Sequence, residues 1–354
     1  MDYHFIPFRT PRQLCDFTDI LKNAKPFVAN FAWDGGTIYD LEGYLEHKAA
    51  GGDPIYALLD RNIFSRLVQI GSGVEVDMKD ETLRVAAAAM ALLIAAEVVV
   101  DPGMAIHEGA RSGTQMSPTE ELRLFRIADH LHPGVFAEIA LGLLDGAPQN
   151  ELQRVRAIVR KESLAPGAFQ NDLHVRTIHH LVLTKVAVLH RESGLAPADR
   201  LERLLEWCLN EGLFTNFGSI FATILFSPRS PSKMLKKIAS APPQERLRIV
   251  GNTAWDLAYA HEWAKRANKE PNENWILCSN DRTLRLVAEV GTCQGATLES
   301  LLHDYWGTKL AARLLKKYRD VDEAVSTEAR AQTLIERSSR HESIQAELDA
   351  QLCE

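Results

Sequence analysis

The sequence predicts an α/β protein: a parallel sheet flanked by helices, with a large all-helical insertion. Two observations carry this prediction. Short apolar segments suited to buried strands are each followed by a segment whose apolar residues have helical spacing. Residues 115–249, in contrast, show almost only helical patterns, separated by turns such as "HPG" and "DGAP". Strands that alternate with helices favour a parallel sheet, so the central region is expected to be inserted into a sheet domain.

Length and charge limit the possible architectures. The 354 residues exceed the roughly 100–200 residues of a typical domain, so more than one hydrophobic core is expected. Hydrophobic residues make up 46% and charged residues 25%, which is ordinary for a folded protein. The net charge of -7 argues against a protein that coats nucleic acid nonspecifically. The predicted parts are an N-terminal extension (1–50), a core in two pieces (51–114 and 250–300), the insertion (115–249) and a helical C-terminal tail (301–354).

The sequence favours a cytoplasmic protein with no membrane association. The longest apolar stretch, 85–100, contains Glu97 and is shorter than the ~20 residues of a membrane helix. The N-terminus lacks the basic start and apolar core of a secretory signal. The five cysteines are scattered and form no CxxC pair, which predicts reduced thiols rather than disulfides or a zinc site.

The first strand is predicted at "IYALL" (55–59), after the turn residues "GGDP". From Asn62 to Ile70 the apolar residues have helical spacing, so Asp60 lies where a strand gives way to a helix. The next helix is predicted over 80–97, and it is followed by a short strand at 98–100. After a Pro-Gly break, "MAIHEGA" predicts a helix with Glu108 near its start.

The second part of the core repeats this arrangement of a strand followed by an acid. Residues 246–267 predict a helix that contains Asp256, and "WILCSND" (275–281) predicts the next strand. Asp281 then precedes the helical pattern "RTLRLVAEV". Loops at the carboxyl ends of parallel strands form the ligand-binding crevice of open α/β folds, so these acids are expected to meet there.

Four carboxylates in one crevice would repel one another unless a cation neutralised them. Oxygen ligands with few His or Cys nearby select Mg²⁺ or Mn²⁺ over zinc. Such a metal can activate water and stabilise the leaving oxygen of a phosphodiester. The sequence therefore predicts a metal site that catalyses phosphodiester hydrolysis and contains Asp60, Glu108, Asp256 and Asp281.

At these residues the chain resembles the PIN-like nucleases. Their pattern is similar to "LLDRN", "VVVDPGMAIHEG", "NTAWDLAYAHEWA" and "WILCSND" here, in that order. The resemblance covers 55–114 and 250–300, and the long insertion between the second and third acids departs from the usual compact family member. It implies endonucleolytic cleavage of RNA more often than DNA. A toxin or defence role, with a possible protein partner or inhibitor, follows by analogy alone.

Other residues receive secondary roles. Asn62, Ser279 and Asn280 are candidates for holding the ligating carboxylates or contacting phosphate. The basic residues Arg154, Arg156, Arg160 and Lys161 are candidates for binding the substrate backbone. The histidines at 174, 179, 180 and 190 do not have zinc-ligand spacing and are expected to be buried or surface histidines of the helical region.

Each acid also has a purely structural explanation. Asp60 and Asp281 can act as helix N-caps, and Glu108 and Asp256 as ordinary residues on helix faces. Two alternatives to an RNase therefore stay open. One is a structure-specific DNase of the same fold, and the other is a noncatalytic scaffold that binds RNA or protein.

Overall fold

Four short strands form one mixed sheet in the computed structural model. They are β1 (Phe27–Ala29), β2 (Ile55–Leu59), β3 (Val99–Asp101) and β4 (Asn274–Cys278), in the order β1-β4-β2-β3. Strand β2 is parallel to both neighbours, and β1 is antiparallel to β4. The structure describes residues 8, 10–111, 116–162, 173–211, 213–230, 235, 238, 240–269, 272–292, 297–325 and 340–354.

The chain divides into two compact units. The first contains residues 1–171 and 265–285, and the second contains residues 172–264 and 286–354. Both units are therefore discontinuous in sequence. The first unit includes 115–171, which the sequence analysis assigned to the insertion, and also the N-terminal region that it treated as an extension.

Among its described residues, the first unit holds the sheet and eight complete helices. These are α1 (Pro11–Ala24), α2 (Leu41–Ala49), α3 (Arg61–Ser72), α4 (Glu81–Ala95), α5 (Gly103–Arg111), α6 (Pro118–Asp129), α7 (Pro133–Ala140) and α8 (Gln149–Val159).

Among its described residues, the second unit contains helices and loops but no strand. Its complete helices are α9 (His174–Arg191), α10 (Pro197–Glu211), α11 (Asn216–Phe226), α14 (Leu298–Trp306), α15 (Thr308–Val325) and α16 (His341–Cys353). Two more helices, α12 (Pro243–Lys269) and α13 (Arg282–Gly291), each contribute residues to both units.

One face of the sheet belongs to a core that also contains helices α3, α4, α6 and α7. Alternation along the strands sends Ala57 and Leu59 of β2, and Ile276 and Cys278 of β4, into this core. Helix α4 is buried on nearly all sides. Its alanine-rich sequence allows close packing against α3 and α7. The sheet is therefore supported by helices from the N-terminal half of the chain.

The prediction of a sheet flanked by helices is confirmed, but the predicted parallel arrangement holds for β2, β3 and β4 and is wrong for β1. The three residues of β1 pair antiparallel with β4, with Phe27 opposite Cys278. This strand is too short to show alternation, and its partner lies far away in sequence. The predicted strand at 55–59 and the helices after both strands are confirmed as β2, α3 and α13. The strand predicted over 275–281 is present as β4 but ends at Cys278, so Ser279 and Asp281 lie beyond it.

The second unit is held together by buried aromatic and hydroxyl groups. The Tyr318 hydroxyl donates to the carbonyl of Ser219 at 2.8 Å and lies 2.6 Å from the Thr223 hydroxyl. Trp306 Nε1 donates to the Thr223 carbonyl at 3.0 Å. These bonds join α11 to α14 and α15.

Among the described residues, we find no helix with the length and apolar character needed to cross a lipid bilayer.

Candidate functional site

The carboxyl ends of the two central strands lie side by side. Leu59 of β2 pairs with Cys278 of β4, so Asp60 and Ser279 are the first residues beyond the paired ends. The Asp60 amide donates to the Cys278 carbonyl at 3.0 Å, which extends the ladder by one bond. Because both strands end at the same level, the side chains that follow them are brought to the same edge of the sheet, as the sequence predicted.

Asp60 is buried and serves as the N-cap of α3. Its Oδ1 accepts a hydrogen bond from the amide of Ile63 at 3.0 Å, and its Oδ2 accepts one from the Ser279 hydroxyl. Only 3% of the residue is exposed. Asp is a favoured N-cap, but most N-cap aspartates remain hydrated, whereas this carboxylate lies inside the protein.

Asp281 has the same role at the start of α13. Its Oδ1 accepts from the amides of Thr283 at 2.6 Å and Leu284 at 3.0 Å. Its own amide donates to the Ser279 hydroxyl at 2.9 Å. Ser279 therefore connects the two aspartates, since its oxygen accepts from the Asp281 backbone while its proton goes to the Asp60 carboxylate.

Burial perturbs the ionisation of Asp60. The pKa of its carboxyl is raised to about 6, and loss of hydration is the largest cause. Hydrogen bonds from Ser279 and from the Ile63 and Asn62 amides limit this rise, and the negative charge of Asp281 contributes to it. A cation between the two aspartates would oppose both effects that raise the pKa, because it compensates for lost hydration and screens the repulsion.

Glu108 lies on α5, which contacts both β2 and α3. The carbonyl of Ala105 accepts from Arg61 Nη1 at 3.0 Å, and a Cβ on Gly109 would come within 2.5 Å of the same nitrogen. Helix α5 therefore lies beside the residue that follows Asp60. Glu108 is half-buried and is the sixth residue of the helix rather than near its start, because α5 begins directly after Pro102.

Asp256 is in a different unit from the other three acids. It lies in the part of α12 that belongs to the second unit, and it is half-buried. Within the described residues, which include all four acids, no group of three or more His, Cys, Asp or Glu side chains is placed to hold a metal ion. The structure thus brings together Asp60 and Asp281, and the four-carboxylate site stays a prediction.

Of the three residues predicted to support the acids, the structure places only one between Asp60 and Asp281. Ser279 is fully buried between the aspartates. Asn280 instead donates from Nδ2 to the Thr82 hydroxyl at 3.2 Å and lines a separate pocket of about 350 Å³ formed with α1 and α4. Asn62 is exposed on the first turn of α3. Only Ser279 therefore contacts both acids.

The basic stretch lies towards the other end of α3. Arg156 donates to the carbonyl of Ser72, the last residue of that helix, at 2.9 Å. The twelve residues of α3 span about 18 Å, which separates this contact from Asp60. Arg154 forms a two-bond ion pair with Glu151, and Arg160 and Lys161 are exposed. Their proposed contact with substrate stays a prediction, at a distance from the aspartates.

Two arginines near the site were missed by the sequence analysis. Arg61 forms a largely buried two-bond pair with Glu121, with oxygen–nitrogen distances of 2.9 and 2.5 Å. Arg285 donates to the carbonyls of Ser279 at 2.8 Å and Ala24 at 3.1 Å. The only signal for Arg61 was its position directly after Asp60, because its partner is 60 residues away. Arg61 thus fixes the backbone of α5 at Ala105, and Arg285 fixes the backbone at Ser279.

No protein-family model, curated protein or solved structure matches this chain. The geometry of the strand ends therefore carries the functional proposal.

Proposed function

We propose that Asp60 and Asp281 bind a divalent cation, Mg²⁺ or Mn²⁺, and that the protein is a nuclease that hydrolyses phosphodiester bonds, with RNA as its substrate. The observation that supports this is the pairing of a buried aspartate and a half-buried aspartate on one serine, at the carboxyl edge of parallel strands. Carboxylates are rarely buried without a cationic partner. Here the described neighbours that contact Asp60 are a hydroxyl and backbone amides.

The two aspartates fit the needs of Mg²⁺. This ion keeps several waters and is commonly held by only one or two carboxylates. Asp60 and Asp281 each use Oδ1 to cap a helix, and Ser279 bonds to Oδ2 of Asp60. Each carboxylate oxygen has more than one lone pair, so further coordination is compatible with these bonds. When bound, the metal would lower the pKa of a coordinated water and stabilise the leaving oxygen.

The remaining residues would position these ligands. Ser279 fixes the orientation of the Asp60 carboxylate, and both helix caps prevent the aspartates from rotating. Glu108, on the helix beside Arg61, is proposed as a third acid that orients the attacking water. The role of Asp256 rests on the sequence pattern alone and is not needed by this proposal.

A second candidate is a noncatalytic scaffold that binds RNA or protein. The same contacts favour it, since Asp60 and Asp281 both have good N-cap geometry and a cap needs no metal. The two candidates predict different results for a variant in which Asp281 loses its negative charge but keeps its shape.

The deciding variant is Asp281→Asn. Asparagine retains the Oδ1 acceptor for the Thr283 and Leu284 amides, so the cap of α13 survives while the negative charge is lost. Cleavage of labelled RNA in MgCl₂ should fall by at least about a hundredfold, because even outer partners of metal ligands are commonly worth 10–100-fold. The melting temperature should be unchanged or higher, since repulsion of Asp60 is relieved.

Asp80→Asn is the matched control. Asp80 caps α4 through the same Oδ1 geometry, accepting from the amides of Thr82 at 2.9 Å and Leu83 at 3.1 Å. This variant should cleave at the parental rate. If Asp281→Asn cleaves as well as the parent, or if EDTA leaves cleavage unaffected, the metal nuclease proposal fails. A panel of RNA, single-stranded DNA and branched DNA separates the RNase from the structure-specific DNase.

A further inference from the structure

The first unit contains a cavity of about 350 Å³ beside the strand end that carries Asp281. It lies between α1 and α4, and the side chain of Asn280 lines it. Asn280 is the residue between Ser279 and Asp281, so the cavity adjoins the candidate metal site. Pockets for small molecules typically have volumes of about 300–1,000 Å³, so its size suits a ligand. We call this cavity the Arg84 pocket.

Arg84 presents unused hydrogen-bond donors to the cavity that it lines. It is half-buried, and its Nε donates to the carbonyl of Ala140 at 2.9 Å, which fixes the guanidinium group. The two Nη nitrogens have no hydrogen-bond partner among the described residues, and they are solvent-accessible rather than buried. A guanidinium held in this way suits a ligand with two acceptor atoms in one plane.

Glu81 lies one turn earlier on α4 and lines the same cavity. Glutamate and arginine at this spacing commonly pair across a helical turn. Three such pairs in this chain each form two hydrogen bonds through arginine Nε and Nη2: Glu120–Arg123, Glu151–Arg154 and Glu245–Arg248. In the described part of the chain, no hydrogen bond or ion pair joins Glu81 to Arg84, whose Nε is already bonded to Ala140. Both charged groups therefore remain available to a ligand.

The rest of the lining combines amide and apolar groups. Asn280 uses its Nδ2 to donate to the Thr82 hydroxyl at 3.2 Å, which leaves its Oδ1 as an acceptor. Asn23 adds a second amide, and Ile20 and Val85 add apolar surface. A flat ring with polar edges fits such a cavity, because the apolar side chains contact its face while the polar groups fix its orientation.

The opposite charges of Arg84 and Glu81 disfavour ligands with a single charge. A phosphate group bound by Arg84 would meet the negative charge of Glu81, and a cation bound by Glu81 would meet the positive charge of Arg84. No group of three His, Cys, Asp or Glu side chains that could hold a metal ion occurs within the described residues. The pocket therefore suits an uncharged ligand with one acceptor edge and one donor edge.

Guanine has these two edges. Its N7 and O6 atoms are adjacent acceptors, which arginine contacts through two parallel hydrogen bonds. Its N1–H and exocyclic amino group are donors that a carboxylate accepts. Adenine instead has an amino donor next to N7, which would face the donors of Arg84. We propose that the Arg84 pocket binds a guanine base, with Arg84 donating to N7 and O6 and Glu81 accepting from N1 and the amino group.

The source of the guanine rests on the proposed function. In a nuclease with its metal at Asp60 and Asp281, a base in the adjoining pocket belongs to the RNA substrate, and the bond that is cleaved lies next to guanine. A free guanine nucleotide offers the same edges. The experiment therefore separates binding from cleavage, and RNA from free nucleotide.

The test is isothermal titration calorimetry of the full chain in EDTA, where binding is measured without metal and without cleavage. The ligands are guanosine monophosphate (GMP), adenosine monophosphate (AMP), inosine monophosphate (IMP) and inorganic phosphate. GMP should bind about tenfold or more tightly than AMP. IMP lacks only the exocyclic amino group of guanine, so it should bind more weakly than GMP because one bond to Glu81 is lost.

Glu81→Ala should weaken GMP binding by about tenfold and abolish the difference between GMP and IMP, which a general loss of structure would not do selectively. Its matched control is Glu42→Ala, an exposed glutamate in the first turn of α2 and outside the lining, which should bind like the parent. Arg84→Lys keeps the positive charge but loses the planar fork, so GMP and AMP should bind alike. Glu81→Ala carries the test if Arg84→Lys does not fold.

The guanine site is overturned if GMP does not bind at about 1 mM, if AMP or phosphate binds as tightly as GMP, or if Glu81→Ala retains the difference between GMP and IMP. Tighter binding of the RNA pentamer AAGAA than of GMP supports RNA as the source, and the reverse overturns it. In MgCl₂ the parent should cleave RNA next to guanine, and cleavage without base preference overturns the link to the metal site. Selective GMP binding without any cleavage refutes the nuclease but supports the guanine site.

Discussion

The raised pKa of Asp60 makes the stability of the metal-free protein depend on pH in an unusual direction. Most native carboxylates stabilise a fold when ionised, but the folded-state pKa of Asp60 is about 6, against 3.8 for an exposed group. The folded state therefore binds a proton more tightly than the unfolded state. Stability rises as the pH falls from 6 towards 3.8, and the cost of ionisation is fully present above pH 6. At 1.36 kcal/mol per pKa unit this cost is about 3 kcal/mol.

Asp60→Asn removes this cost while it keeps the shape of the side chain. The cap from the Ile63 amide to Oδ1 survives, but the Ser279 hydroxyl loses its acceptor, which is worth about 1 kcal/mol. At pH 8, without metal, the variant should therefore be more stable by about 1–2 kcal/mol. A unit of this size should then melt higher by roughly 2–8 °C. At pH 4 the gain should vanish or reverse, because the parental carboxyl is then protonated in the folded state.

The assay is thermal unfolding followed by circular dichroism at pH 8 and pH 4 in EDTA. Asp80→Asn is again the control, because it keeps its cap but loses a partly exposed ion pair with Arg66 at 2.6 Å. It should be at most about 1 kcal/mol less stable than the parent at pH 8. If Asp60→Asn melts below the parent at both pH values, Asp60 is stabilising when ionised, and the account of its burial given above is wrong.

Two further predictions concern Ser279, between the aspartates, and Gly71, near the other end of α3. Ser279→Ala removes the hydroxyl that lowers the pKa of Asp60. In a carbon-detected NMR titration, the pKa of Asp60 should therefore rise above about 6. An unchanged pKa would show that the hydroxyl does not stabilise the carboxylate. Gly71→Ala places a Cβ against the backbone oxygen of Leu124, where α3 meets α6, and backbone cannot move aside as a side chain can. We expect Gly71→Ala to lower the free energy of unfolding, measured with urea, by several kcal/mol. Gly35→Ala, at a turn with open space and a φ of +76°, should lower it by only about 1 kcal/mol.

The strand ends and their acids could be predicted because their signals are local. An apolar run of five residues, an aspartate and then helical spacing describe β2, Asp60 and α3 without reference to the rest of the chain. The same pattern identified β4, Asp281 and α13. Their meeting followed from the rule that parallel strands share a carboxyl edge.

The parts that could not be predicted depend on distant partners. Strand β1 is only three residues long and is defined by its antiparallel pairing with β4. Helices α6 and α7 show the same apolar periodicity as the rest of the central region, yet they pack on α3 and α4. Helical spacing indicates which face of a helix is buried, but it does not indicate which other element packs against that face. The Arg61–Glu121 pair was missed for the same reason, and the division into units could not follow from composition.

The order of the strands in the chain has a consequence for synthesis. Asp60 and Ser279 are 219 residues apart, and β4, which lies between β1 and β2 in the sheet, is made after most of the second unit. At about 5–20 residues per second, a ribosome needs roughly 10–40 s to add the intervening chain. Throughout that interval β2 lacks its central neighbour, so a nascent chain has an open strand edge that invites chaperones or misassembly. Any product terminated before residue 274 would keep that defect permanently.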